Sequence, residues 1–445
     1  MGDPVNESAH ESLPPSSGRR RPRLRRRVRR GVHRAARRVT LWALRPLRWR
    51  RAPRPGERLR VRVLLQNAHG TGGTIRTVLN LCGHLTRDHD IEIVSALRRS
   101  RRPFFTIPGD ARLTYADDRF APKNVAARLL ARLPSVLTPV DEASFRLMSL
   151  WSDVCLLRAL YRTPADVVVG TRPSLVLLAA ELAPRGVVTI GQDHMSLESY
   201  QPALHRQVVR GYRRLSVLAV LTEAARAGYE RALAGSGVRV VRIPNAAPPL
   251  PGPPSRREDK VVLAAGRLVA NKGFDTLIRA FAPLAAEHPD WTLRIFGRGA
   301  RRDRLLALID ELDLTGRVEL LPVTRDLHGE MARASIYALS SRREGMPMVI
   351  IEAMGMGLAV VSFDCPHGPA ELIDHGEDGL LVPPGDTAAL TTALRELITK
   401  PELRDRLGER AVRSARAHDL DHIGPQWSRL LADGAALRRA GRVRG

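Results

Sequence analysis

Cysteine is scarce in this chain. Cys82, Cys155 and Cys365 are the only three in 445 residues, they stand far apart, and none is part of a Cys-x-x-Cys pair. That excludes a disulfide framework or a cysteine-built zinc site, and it suits a reducing cytosol. Long hydrophobic runs are also missing. Nowhere do about eighteen uncharged apolar residues follow one another, the length that a membrane-spanning helix needs. No apolar signal-peptide core follows the N-terminus either. Acid is missing from one long stretch, since neither Asp nor Glu occurs between Arg19 and Gly56. The net charge is +26, and residues 1–58 hold 18 arginines against Asp3, Glu7, Glu11 and Glu57.

That basic stretch sets the first expectation. The polar, Pro/Ser-rich start and the arginine run together predict a disordered arm over residues 1–57. Leu41, Trp42, Leu44, Leu47 and Trp49 are interleaved with the arginines of 19–58. Tryptophans at headgroup level with guanidinium groups on phosphates suit an anionic membrane surface. A solvated arm and phosphate affinity for nucleic acid are the competing readings. No nucleic-acid reading module accompanies the run, so no specific nucleic-acid partner is expected.

The chain as a whole is 44% hydrophobic, enough for core building, and its length leaves room for two domains beyond the basic stretch. Short β-branched runs alternate with helical stretches. The strands expected in the first half are 58–68, 91–97, 165–170, 187–194, 216–222 and 238–245. Helices are expected over 141–163, 173–183 and 223–234, with loops and one helix near 122–132 in the segment 98–140. Alternation of this kind means a parallel α/β sheet. The Pro-rich segment 246–259 reads as a linker, after which the alternation restarts. The fold class is therefore α/β, with two doubly wound, Rossmann-like domains facing a cleft. They cover 58–245 and 260–420, and residues 421–445 form a helix or tail that can pack back on the first domain.

Ligands bind such sheets beyond the carboxyl ends of the strands. In the first domain "HGTGGT" (69–74) follows the first strand and opens a helix, so Gly72 and Gly73 can aim backbone N–H groups at an anion. His194 lies just past another strand end. In the second domain Arg267 follows a strand and Lys272 stands five residues on, beside a helix start, which is the layout of a diphosphate clamp. "SSRREGMPMVIIEAMG" (340–355) holds two acids, Glu344 and Glu352. Gly345 lets the backbone approach a ligand, and Pro347 suits a first helical turn. Eight residues at about 100° each leave the acids roughly 80° apart around a helix, so both can face one side. Carboxylates are poor phosphate partners but good acceptors for paired hydroxyls. Diphosphate, ribose and sugar together describe a nucleotide-sugar site. The triplet "ADD" at 116–118 reads as a loop, and no metal site is expected.

The segments "GRLVANKGFDTLIRAF" and "EGMPMVIIEAMGMGLAVVSFDCPHGPAELIDHGEDGLLVP" resemble the family 4 retaining glycosyltransferases of GT-B fold, with Glu344 and Glu352 meeting the E-x7-E spacing. The resemblance covers about residues 60–420. It implies that Arg267 and Lys272 bind the diphosphate, Glu352 the ribose and Glu344 the transferred sugar. The backbone of Gly345, Met346 and Pro347 lines the donor, Gly72 and Gly73 approach from the first domain, and His194 stands near the reacting centre. Asp364, Gly368 and Glu371 shape a neighbouring loop. The implied activity is retaining transfer of a hexose or N-acetylhexosamine to a hydroxyl acceptor of a cell-envelope glycan, polymer or lipid-linked saccharide. The donor is a nucleoside-diphosphate sugar, UDP-linked by preference, used as co-substrate with no other cofactor. The place of work is cytoplasmic, peripheral on the membrane's inner face. The alternative is an inactive, transferase-like binding protein whose basic arm engages anionic membrane or nucleic acid.

Overall fold

The computed structural model describes residues 20–49, 56–247, 250 and 252–439. Two parallel sheets organise it. The first contains β1 (Arg60–Leu65), β2 (Asp90–Arg98), β3 (Arg112–Asp118), β4 (Val167–Gly170), β5 (Val188–Asp193), β6 (Val217–Val220) and β7 (Arg239–Arg242), in the order β3-β2-β1-β4-β5-β6-β7. The second contains β8 (Val261–Ala265), β9 (Thr292–Phe296), β10 (Val318–Leu321), β11 (Ile336–Leu339), β12 (Ala359–Phe363) and β13 (Leu380–Val382), in the order β10-β9-β8-β11-β12-β13. Central strands such as β4 and β12 are buried along their whole length, as expected when helices cover both faces of a parallel sheet. The strand order reverses beside β1 in one sheet and beside β8 in the other, so each has its ligand crevice at the carboxyl end of that strand.

Fourteen α-helices lie among the described residues. Those of the first half are α1 (Arg20–Leu44), α2 (Gly73–Leu85), α3 (Val125–Arg132), α4 (Leu150–Arg162), α5 (Pro173–Leu182), α6 (Pro202–Tyr212) and α7 (Glu223–Ala232). Those of the second are α8 (Phe274–Glu287), α9 (Arg302–Glu311), α10 (Leu327–Ala332), α11 (Met348–Gly355), α12 (Thr387–Thr399), α13 (Pro401–Ala415) and α14 (Leu420–Arg439). None is long and apolar enough to cross a membrane.

Three local expectations need correction. Residues 112–118 form the edge strand β3, so the "ADD" triplet ends a strand instead of a loop. β3 is mostly half-buried and lacks the apolar run that marks a central strand. Its acids are engaged, Asp117 with Lys123 at 3.1 Å and Asp118 with Arg98 at 3.0 Å. The helix expected from residue 141 starts at Leu150, where Ser149 and Ser152 exchange side-chain and backbone hydrogen bonds in a capping box. The segment before it folds into turns around Glu142 and Ser144.

The third correction concerns the arm. Residues 20–49 are helical: α1 is followed by a short 3-10 turn over Arg45–Trp49. Residues 1–19 and 50–55 of the expected arm lie outside the described residues. One face of α1 is docked on the first domain. Arg37 grips Glu181 through two nitrogens, at 3.2 and 2.5 Å, and gives its Nε–H to the Leu137 carbonyl at 2.9 Å. Arg34 pairs with Asp141 at 3.1 Å, and His33 Nε2 meets the Ser135 carbonyl at 3.0 Å. Leu41 and Leu44 pack on the apolar cluster beneath. The acids that neutralise the helix are more than a hundred residues away in sequence, so local composition does not reveal them.

The chain passes between the domains twice. Residues 243–259 lead out of the first domain; 248, 249 and 251 lie outside the described residues. At the other end α14 returns to the first domain, where Ile423, Trp427, Leu430 and Leu431 are buried in its core beside α2. The two crossings touch, with the Ala247 N–H donating to the His418 carbonyl at 2.8 Å.

Candidate functional site

The second domain's half of the site starts where β8 ends. Gly266 and Arg267 leave the strand, and Ala270–Lys272 form one 3-10 turn. That turn stops on Gly273, whose φ of +63° is left-handed and whose Cβ, were there one, would sit 2.0 Å from the Ser340 carbonyl oxygen. The close approach seals the β8 turn against the end of β11. Hydrogen bonds lace the two loops further: the Arg342 N–H donates to the Asn271 carbonyl at 2.8 Å, and Asn271 Nδ2 donates to the Arg343 carbonyl at 2.8 Å. The result is a short ion pair, Lys272 Nζ to Glu344 Oε1 at 2.6 Å, with both side chains largely shielded. Arg267 is exposed beside it, and among the described residues its guanidinium has no hydrogen-bond or ion-pair partner.

Glu344 leads into α11. Met346 and Pro347 are buried, and the Met346 sulfur accepts the Asn245 N–H of the first domain at 3.3 Å. Met346 therefore has only its backbone to offer a ligand. Glu352 lies inside α11 and is buried. Its carboxylate takes a hydrogen bond from Arg76 Nη1 at 2.9 Å and lies 3.4 Å from His328 Nε2. Arg76 Nη2 is 3.3 Å from that same nitrogen. If Nε2 accepts from Arg76 it has no proton for Glu352, so the two contacts are alternatives set by the histidine's tautomer. The two acids thus stand on one loop and helix but hold different cations.

The first domain faces this surface with two strand ends. Gly72 caps α2 without any side-chain hydrogen bond, and a Cβ on Gly73 would come 3.9 Å from Met348 at the mouth of α11. The α2 and α11 N-termini therefore converge, and each carries the positive end of a helix dipole. His194 follows β5. Both of its ring nitrogens are sealed from solvent without a hydrogen-bond partner. Burial, aided by the charge of Arg172, pushes its pKa down to about 4, so the imidazole is neutral at physiological pH. Asp193 before it anchors the strand end, accepting from the Tyr200 hydroxyl at 2.5 Å and from the Tyr229 hydroxyl. The domains meet closely here, because a Cβ on Gly345 would lie 2.3 Å from the His194 carbonyl oxygen.

Lys272 and Glu344 are thus paired, Gly73 and His194 come up against residues 345–348, and Arg267 points free at the same strand end. Gly368 packs behind Gly345 at a φ of +113°, where a Cβ would meet the Gly345 carbonyl at 2.8 Å. Asp364 is exposed. Glu371 is drawn elsewhere: it accepts the Glu223 and Ala224 N–H groups at 2.8 and 3.1 Å and ties α7 to the second domain. Arg76, His328 and Arg172 join the site in addition to the residues expected from the sequence. Arg76 stands three residues past Gly73 in the first turn of α2, and that place beside the Gly-rich turn is its mark in the sequence. His328 and Arg172 carry no local mark. Among the described residues, no group of three or more His, Cys, Asp or Glu side chains is placed to hold a metal ion.

Residues 251–414 match the family model described as "Glycosyl transferases group 1". Over that segment the chain is similar to the group 1 glycosyl transferases. Arg267, Lys272, Glu344 and Glu352 lie inside the matched segment, whereas Gly72, Gly73, Arg76 and His194 lie outside it. Among its relatives, an exopolysaccharide phosphotransferase of Streptomyces coelicolor is 36% identical over 391 residues, covering 84% of this chain and 41% of that protein. The amylovoran biosynthesis glycosyltransferase AmsD of Erwinia amylovora is 29% identical over 246 residues, 54% of this chain and 68% of that one. The chain thus spans less than half the length of the first relative. In three dimensions, Anabaena HepE in complex with UDP-glucose superposes with a TM-score of 0.65 at 18% identity, covering 84% of this chain and 100% of that one. The shared fold is GT-B.

Proposed function

We propose that this protein moves a hexose or N-acetylhexosamine from a nucleoside-diphosphate sugar, UDP-linked by preference, to a hydroxyl acceptor with retention of anomeric configuration. The observation that carries the reading is the Lys272–Glu344 pair beside the unpartnered Arg267, at the reversal point of the second sheet and opposite the α2 N-terminus. Arg267 and Lys272 hold the diphosphate, and the helix N-termini and the Gly72–Gly73 and Gly345–Pro347 backbones surround it. Glu352 takes the ribose hydroxyls and Glu344 those of the sugar. UDP-glucose in HepE supports the donor class.

The chemistry follows from the leaving group. The bond between the anomeric carbon and the diphosphate oxygen breaks, and its electron pair leaves with a nucleotide whose charge Arg267 and Lys272 neutralise. The acceptor oxygen attacks from the face just vacated, and its proton passes to a phosphate oxygen of the departing nucleotide. His194, neutral and sealed from water, offers an uncharged polar edge to the ring without competing for the phosphate. The donor is the co-substrate, and the scheme uses no other cofactor.

The acceptor we infer is a hydroxyl of a cell-envelope glycan, polymer or lipid-linked saccharide, reached from the cytoplasmic face by a peripherally bound protein. The names of the Streptomyces and Erwinia relatives support an exopolysaccharide setting. The first name also motivates a second reading, in which a sugar phosphate is transferred. One experiment separates them. With a panel of nucleotide sugars and an envelope-polysaccharide acceptor, glycosyl transfer releases the nucleoside diphosphate and phosphosugar transfer releases the monophosphate. Release of monophosphate, or no turnover and no thermal stabilisation by any donor, would overturn the proposal. NMR of the new linkage reports retention.

A further inference from the structure

We propose that α1 and α3 form a rigid docking surface for an anionic lipid bilayer. This deepens the peripheral attachment suggested above by naming the residues that make it. It rests on the transferase reading only in placing a lipid-borne acceptor beside the cleft.

Among the described residues, eight of the twelve large hydrophobic side chains that are markedly exposed lie on these two helices and just beyond their ends. On α1 they are Val28, Val32, Val39 and Trp42. At about 100° per residue these four fall within roughly 80° of arc, opposite the face through which His33, Arg34, Arg37, Leu41 and Leu44 dock on the domain. Trp42 is 74% exposed, and Trp49 just beyond the helix is 62% exposed. On α3, Val125 and Leu129 point outward, followed by Leu133. That helix ends three residues before Ser135, the residue whose carbonyl meets His33. The two apolar stripes are therefore carried by one packed unit.

Charge identifies the occupant. Arg29, Arg38 and Arg45 flank the stripe on the α1 side, and Arg128 and Arg132 on α3; all five are exposed. Beyond the C-terminal end of α1, Arg48 is partly buried, and its Nε has no hydrogen-bond partner. Burial, then the charges of Arg214, Arg185 and Arg45, lower its pKa, against an opposing effect of Tyr161. A crowd of guanidinium groups beside exposed tryptophans is what a layer of headgroup phosphates over acyl chains would satisfy. A second copy of the chain would bring the same positive face and be repelled. A nucleic acid would use the arginines but leave the valine and tryptophan stripe bare.

The surface is also wired to the reaction site. Arg34 holds Asp141, the next residue Glu142 accepts from Arg172 at 2.8 Å, and Arg172 lies close enough to His194 to depress its pKa. A bilayer on α1 would therefore set the first domain's cleft wall at a fixed height above the headgroups.

The test is co-sedimentation of the full chain with vesicles of phosphatidylcholine, alone or mixed with phosphatidylglycerol. Binding should need the anionic lipid and weaken with salt. The double variant Val39→Asp, Trp42→Asp, at exposed positions, should abolish it. Arg38→Ala with Arg45→Ala should weaken it about 25-fold, at about fivefold for each basic residue near an anionic surface. Thermal stabilisation by UDP should be unchanged in all variants, which keeps this test apart from that of the transferase reading. Undiminished vesicle binding by the Asp variant, equal binding to neutral and anionic vesicles, or tighter binding to a duplex oligonucleotide than to anionic vesicles would each overturn the proposal.

Discussion

Gly345→Ala tests the closest approach between the two domains. Gly345 does not have a positive φ, so alanine brings no backbone strain there, and whatever the substitution does comes from one added carbon. That carbon would stand 2.3 Å from the His194 carbonyl oxygen, 3.2 Å from the carbonyl carbon and 3.5 Å from Met195 Cα. All three are backbone atoms, so no flexible side chain can swing away. A normal contact requires the loop and the end of β5 to part by about 1 Å, and overpacking of this kind costs roughly 1–3 kcal/mol. Misplacement on that scale can lower turnover by about a hundredfold when it separates groups that act together. Here it would separate Glu344 and Lys272 from His194. UDP binding, which on the proposed function draws mainly on the second domain, should fall by less than about tenfold, since 1.4 kcal/mol corresponds to one decade. The assay is kcat/KM with the preferred nucleotide sugar beside UDP titration calorimetry. Wild-type turnover together with an unshifted melting curve would refute the reasoning, because the domains would then not need this contact.

Other outcomes are as specific. Lys272→Ala, Glu344→Ala or Arg267→Ala should each lower kcat/KM by roughly a hundred- to a thousandfold with an unchanged circular dichroism spectrum; wild-type rates in all three would remove the assignment. Arg76→Met leaves the buried Glu352 carboxylate short of its strongest partner, a loss of roughly 3–5 kcal/mol for a buried pair. It should lower the Tm of the free protein and enlarge the stabilisation by a nucleotide sugar, whose ribose replaces the lost donor; equal stabilisation in variant and wild type would argue against ribose at Glu352. Glu181→Gln strands Arg37, with both side chains only 9% exposed, and should make α1 markedly more sensitive to trypsin. Acidification should destabilise the fold between about pH 6.5 and 4. His194 and His418 both have pKa values pushed down to about 4, chiefly by burial, so in that window the unfolded chain binds protons that the folded chain refuses. Stability is full above the ordinary histidine value and is lost as pH falls, by at most about 3 kcal/mol for each group at about 1.4 kcal/mol per unit. In His194→Leu the pH dependence of Tm should be visibly shallower.

The second domain was the more legible half. Its strands are short apolar runs broken only by Arg294 in β9, Glu319 in β10 and Ser362 in β12, and Arg267, Lys272 and Glu344 sit at one strand-end layer because β8 and β11 are neighbours, which a doubly wound order dictates. The edge strand β3 escaped because a half-buried strand has no apolar run to mark it. Helix α1 escaped for a different reason. Its arginines look unpaired in sequence, and only the fold brings Asp141 and Glu181 under them. Arg76 and His328 are the same case within the site: Glu352 lies in an apolar run of sequence, and nothing local to it names the side chains, one from each domain, that meet its carboxylate. The interleaved residues at 41–49 also sort by geometry, with Leu41 and Leu44 turned inward and Trp42 and Trp49 outward.

The contact between Ala247 and His418 bears on how the cleft can open. With two separate strings between the lobes, either could slacken alone and the lobes could swivel or slide. Stitched together they form one connection, which favours a swing about it over independent slack in either crossing. A donor arriving at the second lobe then finds the opposite wall returning along a single arc. Cutting that stitch would cost little in melting temperature and much in the reproducibility of closure.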